Sequence, residues 1–212
     1  MNESAAISQK SVMPIMPTAH IMPAKRGENL EIGDGFTALA FREKNFFGMM
    51  DPLVMVDHYK MTKPTFGAHP HAGLSAVSVI FEDSIGAFHN RDSLGNDFDL
   101  MPGDLYWLKA GAGVIHDESP RPGAQIHGLQ VFVNMPSKER KNEPASLHVK
   151  TQNIPVYEQN GSRVRIVLGE SNGIKAKQSP AQAMTILDGR IQPKKKFQHS
   201  LKLNENAWVY AI

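Results

Sequence analysis

Two short motifs decide the fold, HPHAG at residues 69–73 and GVIHDE at residues 113–118. Each motif carries two residues of metal-binding type at spacing i, i+2. Side chains two apart on a β-strand point to the same face, so each pair directs both of its groups the same way. If the two strands lie on facing walls of a small barrel, three imidazoles and one carboxylate converge on one point. The sequence therefore predicts a metal site whose ligands are His69, His71, His116 and Glu118.

The sequence around the two motifs has the pattern of short strands joined by turns. At about 5–6 residues per strand, the interval between the motifs holds about four strands, enough for the chain to leave one cavity and return to it. The chain contains 17 Gly and 14 Pro, which favour turns, and no stretch has the period of a helix. We therefore predict an all-β fold with strands near residues 36–41, 53–59, 74–81, 105–108 and 125–134.

Composition excludes several classes of function for these 212 residues. The net charge is +2, too small to indicate a direct nucleic-acid or membrane binder. Cysteine is absent, so disulfides and thiolate ligands are excluded. No apolar run approaches the roughly 18 residues of a membrane-spanning helix. We expect a cytoplasmic protein whose chemistry depends on nitrogen and oxygen ligands.

Two other groups of residues have the chemistry of a catalytic site. Asp57 and His58 form an adjacent acid and imidazole, although a structural role for the carboxylate explains the pair more simply. Ser93 beside Asp92 and His89 has the composition of a nucleophilic site. The sequence RDSLGN at residues 91–96 is typical of a hairpin turn, however, in which such side chains bind local backbone.

The ligand types narrow the choice of metal. Neutral imidazole and carboxylate suit iron, nickel, zinc, copper or manganese. Four protein ligands leave two positions of a six-coordinate metal open for water, dioxygen or a chelating substrate. The candidates for lining such a substrate cavity are Met55, Phe66 and Phe132.

A set of segments resembles the pirin family of the cupin superfamily. The segments are FGAHPHAG at 66–73, RDSLGN at 91–96, AGAGVIHDE at 110–118 and GLQVFVNMP at 128–136, in the order found in that family. The resemblance implies a bicupin, in which two double-stranded β-helix (jelly-roll) barrels pack together and the N-terminal barrel holds the metal. It implies the same four ligands, His69, His71, His116 and Glu118, and iron(II) as the usual metal.

The resemblance also implies two rival functions. Some members have quercetin 2,3-dioxygenase activity, so one hypothesis is an iron-dependent dioxygenase that binds a flavonol-like substrate and uses Glu118 as a catalytic proton acceptor. Other members are partners of transcription factors or metabolic enzymes, so the alternative is a non-catalytic, metal-dependent regulatory protein that binds a protein partner. A third reading is a structural barrel that holds adventitious zinc.

Alignment with a bicupin suggests a division of the chain. We expect a flexible arm at 1–23, a metal-binding cupin domain at 24–136, a linker at 137–160 and an incomplete second cupin at 161–212. Strands are expected at 164–168 and 183–187, and AWVYAI at 207–212 reads as a strand in mid-barrel. An unpaired edge of this kind needs a cover, for which we expect a partner subunit, as in a homodimer, or the N-terminal arm.

Overall fold

The computed structural model describes residues 21–212, which form an almost wholly β structure. The strands are β1 (Glu28–Ile32), β2 (Phe36–Arg42), β3 (Leu53–Met61), β4 (His69–His71), β5 (Leu74–Ile80), β6 (Phe88–Asp92), β7 (Asp97–Leu100), β8 (Leu105–Lys109), β9 (Val114–Pro120), β10 (Ile126–Asn134), β11 (Ala145–Val149), β12 (Val156–Gln159), β13 (Ser162–Leu168), β14 (Glu170–Ser171), β15 (Ile174–Lys175) and β16 (Ile186–Ile191). Within the described range, helix is confined to two short 3₁₀ turns, Glu43–Phe46 and Thr151–Asn153. Neither has the length and apolar character of a helix that crosses a membrane.

Two antiparallel sheets enclose the main core. The larger has the order β1-β2-β3-β10-β5-β8-β11, and the smaller has the order β4-β9-β6-β7. Apolar side chains from both sheets form one buried cluster between them, including Tyr59 and Ile80 from the large sheet and Phe88 and Val114 from the small one. The predicted all-β barrel is therefore confirmed, with four strands between the two motifs.

The five strands predicted for residues 36–134 correspond to β2, β3, β5, β8 and β10. The predicted hairpin turn is also present, since the Asp92 carboxylate accepts a hydrogen bond from the backbone N–H of Leu94 at 2.9 Å. Gly95 in the same turn has a φ of 89°, a conformation that glycine adopts readily. Local side-chain chemistry thus ends one strand and starts the next.

Residues after 150 cover the outer face of the large sheet. A three-stranded sheet, β12-β13-β16, contributes Val167 and Leu168 to a second buried cluster with Val77, Val79 and Trp107 of the large sheet. Strands β5 and β8 are thereby buried on both faces, which explains why their sequences are apolar almost throughout.

Two expectations for this region need correction. The strand expected at 183–187 begins later, as β16, because its partner β13 ends at Leu168, which pairs with Ile186. The strand expected at 207–212 is wrong, since these residues form no ladder with any described strand. The predicted domain boundaries and the incomplete second barrel stay predictions, and all but the last three residues of the predicted arm lie outside the described range.

The C-terminal segment is extended but is held by side chains instead of backbone pairing. The rings of Trp208 and Tyr210 meet the ring of Phe41 edge-on, at centroid distances of 5.5 and 5.2 Å. Val209 and Ile212 point away and are 87% and 83% exposed. The alternation in the sequence is therefore real, but it reflects packing onto the large sheet. The segment is not an edge strand, so it gives no reason to expect a partner subunit or the N-terminal arm to cover it.

Replacing Trp208 with alanine should destabilise the protein by about 1–3 kcal/mol, because a half-buried ring that packs on Phe41 is lost. Val209→Ala is the matched control and should stay within about 0.5 kcal/mol of the unmodified protein, since that side chain contacts solvent. Urea unfolding followed by circular dichroism measures both. Equal stabilities for the two variants would show that the C-terminal segment is not packed as described.

Candidate metal centre

The two motifs lie on neighbouring strands of the small sheet. Strands β4 and β9 pair antiparallel, with His69 opposite His116 and His71 opposite Val114. The expectation that the motifs occupy facing walls is therefore wrong, because a single sheet brings them together. The spacing argument holds nevertheless. On β9 the residues Val114, His116 and Glu118 are buried, while Ile115 between them is exposed.

Three imidazoles converge in the barrel interior. The Nε2 atom of His116 lies 3.0 Å from Nε2 of His71 and 3.1 Å from Nε2 of His69. Nitrogen ligands that bind one metal at about 2.0–2.1 Å in adjacent positions are themselves about 3 Å apart. The three residues each offer a ligand atom within 4.8 Å of the others. The donor set therefore fits a metal ion.

The protonation state of the rings also suits a metal. Burial, reinforced by the neighbouring rings, lowers the pKa of His116 to about 3 and that of His71 to about 4. Both rings are thus neutral at pH 7, the form that ligates metals. The Nδ1–H of His69 donates to the carbonyl oxygen of Gly67 at 2.8 Å. This bond fixes the tautomer and leaves Nε2 of His69 free as a ligand.

Glu118 lies beside the three histidines without joining their cluster of ligand atoms. Its Oε1 accepts a hydrogen bond from the Ser78 hydroxyl at 2.8 Å, and its Oε2 lies 4.0 Å from Nδ1 of His116. Burial raises the pKa of Glu118 to about 7, although the bond from Ser78 opposes this shift. The carboxylate therefore lies beside the His116 ring, and its role as a ligand stays a prediction.

Aromatic side chains flank the histidines. The Phe132 ring meets the His71 ring edge-on at 5.0 Å, and the Phe66 ring lies 6.5 Å from the His69 ring. Phe66 is 48% exposed, so this side of the site reaches solvent. Met55 pairs with Phe132 across β3 and β10. Of the three side chains predicted to line the cavity, Phe132 and Phe66 thus lie beside the histidine rings, and Met55 is the cross-strand neighbour of Phe132.

The rival catalytic groups are not assembled. The Asp57 carboxylate binds the guanidinium of Arg42, whereas His58 points to the other face of β3 and contacts the Tyr210 hydroxyl at 2.7 Å. Asp57 is thus structural, with Arg42 as its partner. The Nε2 atom of His127 lies 2.6 Å from Nε2 of His58.

Ser93, the candidate nucleophile, also has a structural role. The Ser93 hydroxyl accepts a hydrogen bond from the backbone N–H of Ile115, at 3.1 Å. His89 contacts Asp99 instead of Ser93, at 3.1 Å. Asp92 binds the turn and the hydroxyl of Tyr106. The three residues therefore form no charge-relay arrangement.

Sequence reasoning missed the polar side chains behind the carboxylate. Ser78 and Gln130 come from the large sheet and reach across the interior towards Glu118. The hydroxyl of Tyr59 is buried there and has no hydrogen-bond partner among the described residues. The available signal was a serine at an inward position of a largely apolar strand.

The comparisons with known proteins agree with this geometry. The sequence model of the Pirin family matches residues 35–133, which include all four predicted ligands. Pirin of Homo sapiens is 33% identical over 164 residues, 77% of this chain and 56% of that protein. The chain thus spans little more than half the length of this curated relative.

Two crystal structures are similar. GK1651 from Geobacillus kaustophilus has a TM-score of 0.72 at 28% identity, covering 80% of this chain and 67% of that chain. Quercetin 2,3-dioxygenase from Acinetobacter baumannii has a TM-score of 0.67 at 26% identity, covering 77% of this chain and 61% of that chain. The barrel therefore has a known architecture.

His116→Ala should abolish tight metal binding, because it removes the nitrogen common to both short Nε2 separations. We expect a loss larger than the roughly 10–100-fold that follows removal of an outer hydrogen-bond partner. Titration of tag-free protein with Ni²⁺ in a calorimeter measures the affinity. His89→Ala, on β6 of the same sheet, is the control and should bind as the unmodified protein does. Unchanged affinity in His116→Ala would exclude this metal site.

Proposed function

The chain belongs to the pirin family of the cupin superfamily, and from this premise we propose that it is an iron(II)-dependent dioxygenase of the quercetin 2,3-dioxygenase type. The observation that carries the proposal is the convergence of three imidazoles on one point in the barrel interior. A similar fold belongs to the quercetin 2,3-dioxygenase of Acinetobacter baumannii. The proposed substrate is a flavonol or a related planar molecule with adjacent hydroxyl and carbonyl oxygens.

The proposed ligands are His69, His71, His116 and Glu118. Imidazole and carboxylate accept nickel, zinc, manganese or copper as well as iron, so the ligand set alone does not select iron. When bound, the metal supplies Lewis acidity that lowers the pKa of a coordinated hydroxyl and polarises a carbonyl.

The protein's own residues orient the substrate and take up its proton. Phe132 and Phe66 present rings beside His71 and His69, which gives a flat aromatic ligand an apolar surface next to the ligand atoms. The carboxylate of Glu118, with Oε2 on the side of His116, is the proposed acceptor of the flavonol hydroxyl proton. Burial of His116 and Glu118, 3% and 8% exposed, keeps bulk water from this proton transfer.

The alternative is a metal-dependent regulatory protein that acts on a protein partner. It has the same metal site and differs in that no flavonol is consumed. The aromatic rim beside the ligand rings favours the enzyme, because a protein-binding surface does not need apolar groups at the metal itself.

Iron-loaded protein in air should consume quercetin, because the site supplies both a metal with open positions and an adjacent proton acceptor. The loss of the flavonol absorbance band, together with equimolar oxygen uptake, measures the reaction. Protein carrying His116→Ala is the control and should be inactive. Full iron occupancy without any loss of quercetin would contradict the proposed dioxygenase and favour the regulatory alternative.

Glu118→Gln should retain metal through the three histidines but lose turnover by about 10²–10⁴-fold, because an amide cannot accept the substrate proton. Asp117→Asn is the matched control on the same strand. Its carboxylate lies 3.5 Å from Arg91 and outside the histidine cluster, so any change in turnover should be small beside that of Glu118→Gln. Steady-state kinetics with quercetin measure turnover, and metal analysis of the same samples measures how much metal each variant retains. Equal kcat values in Glu118→Gln and the unmodified protein would remove the role of Glu118.

A further inference from the structure

We propose that Ser78 and Gln130 are positioning residues that hold the Glu118 carboxylate in the orientation required for metal binding. The inference rests on the metal site of the proposed function and adds to it the part of the barrel that sets its carboxylate ligand. Both residues lie on the large sheet, whereas the four proposed ligands lie on the small sheet. The interaction therefore joins the two walls of the barrel at the metal site.

The geometry of this pair is well defined. Ser78 on β5 stands directly opposite Gln130 on β10. The Ser78 Oγ lies 2.8 Å from Oε1 of Glu118 and 3.0 Å from the side-chain amide of Gln130. Ser78 is 2% exposed, so water does not compete for these bonds. One buried hydroxyl thus bridges the carboxylate and an amide.

Counting donors fixes the direction of the bridge. A serine hydroxyl has one hydrogen, and an ionised carboxylate only accepts. For Glu118 to be ionised, as a metal ligand must be, Ser78 donates to Oε1 of Glu118. The Gln130 atom that faces Ser78 is Oε1, which cannot donate, so with Glu118 ionised the amide has to be turned to place Nε2–H against Oγ of Ser78. The chain of donors runs from Gln130 through Ser78 to Glu118.

This chain fixes one carboxylate oxygen and leaves the other for the metal. Oε1 is held from the large sheet, whereas Oε2 makes no such bond to a described residue and lies beside the His116 ring, 4.0 Å from Nδ1. Ligand carboxylates in metal sites are commonly hydrogen-bonded in this way, and loss of such a partner lowers metal affinity by about 10–100-fold. The same range is expected here.

The same strand provides a matched control for a purely structural effect. Ser75 is fully buried on β5, but its Oγ has no hydrogen-bond partner among the described residues. It lies three positions from Ser78 and so faces the opposite side of the large sheet. Ser75→Ala removes the same atom from the same strand without touching the bridge.

Titration of the full chain with Co²⁺ tests the proposal, since cobalt reports both affinity and coordination in its visible spectrum. Ser78→Ala should bind Co²⁺ about 10–100-fold more weakly and with an altered spectrum, whereas Ser75→Ala should match the unmodified protein. Gln130→Leu should weaken binding less than Ser78→Ala does. The double variant should be no weaker than Ser78→Ala, because the two residues act in series.

Equal Co²⁺ affinity and equal spectra in Ser78→Ala and Ser75→Ala would overturn the proposal. If Ser78→Ala does not fold, as judged by thermal unfolding without metal, Gln130→Leu decides: weaker binding supports the bridge and unchanged binding overturns it. Glu118→Ala separates this inference from the proposed function. Unchanged Co²⁺ binding in that variant defeats the positioning role, whereas the expected Co²⁺ results without quercetin consumption defeat only the dioxygenase.

Discussion

The antiparallel pairing of β4 with β9 is the constraint on which the rest of the site depends. It places His69 opposite His116 and directs His71 to the same interior face. Because side chains alternate along a strand, a slip of one residue would turn His116 and Glu118 outward and bring Ile115 and Asp117 in. The register of two short strands therefore decides whether three ring nitrogens meet.

Burial in the surrounding barrel also sets the protonation state of the converging histidine rings. Burial lowers the pKa values of His71 and His116, so that their rings are neutral near pH 7. The Nε2 atom of His116 lies within 3.1 Å of Nε2 in both other rings, a separation that suits nitrogen ligands of one metal ion. Residues of β13 pack on the outer face of the large sheet, against β5 and β10 behind the site.

The sequence predicted the strands and the histidine cluster because both rest on local rules, period two along a strand and the ligand chemistry of imidazole. It did not predict that β4 and β9 are neighbours, since strand order depends on contacts far apart in the chain. The segment at 207–212 shows the same limit. It was predicted to be a strand, but its sequence does not distinguish a paired strand from an extended segment held by partly buried side chains such as Trp208 and Tyr210. Ser78 was missed because its role depends on a residue 40 positions away.

The central claim is that the three imidazoles bind one metal ion. Crystals of tag-free protein loaded with iron or nickel, measured at the absorption edge of the metal, test it most directly. We expect one anomalous difference peak per chain, at bonding distance from the Nε2 atoms of His69, His71 and His116. A fully loaded protein whose peak lies elsewhere, with these three rings unliganded, would contradict it.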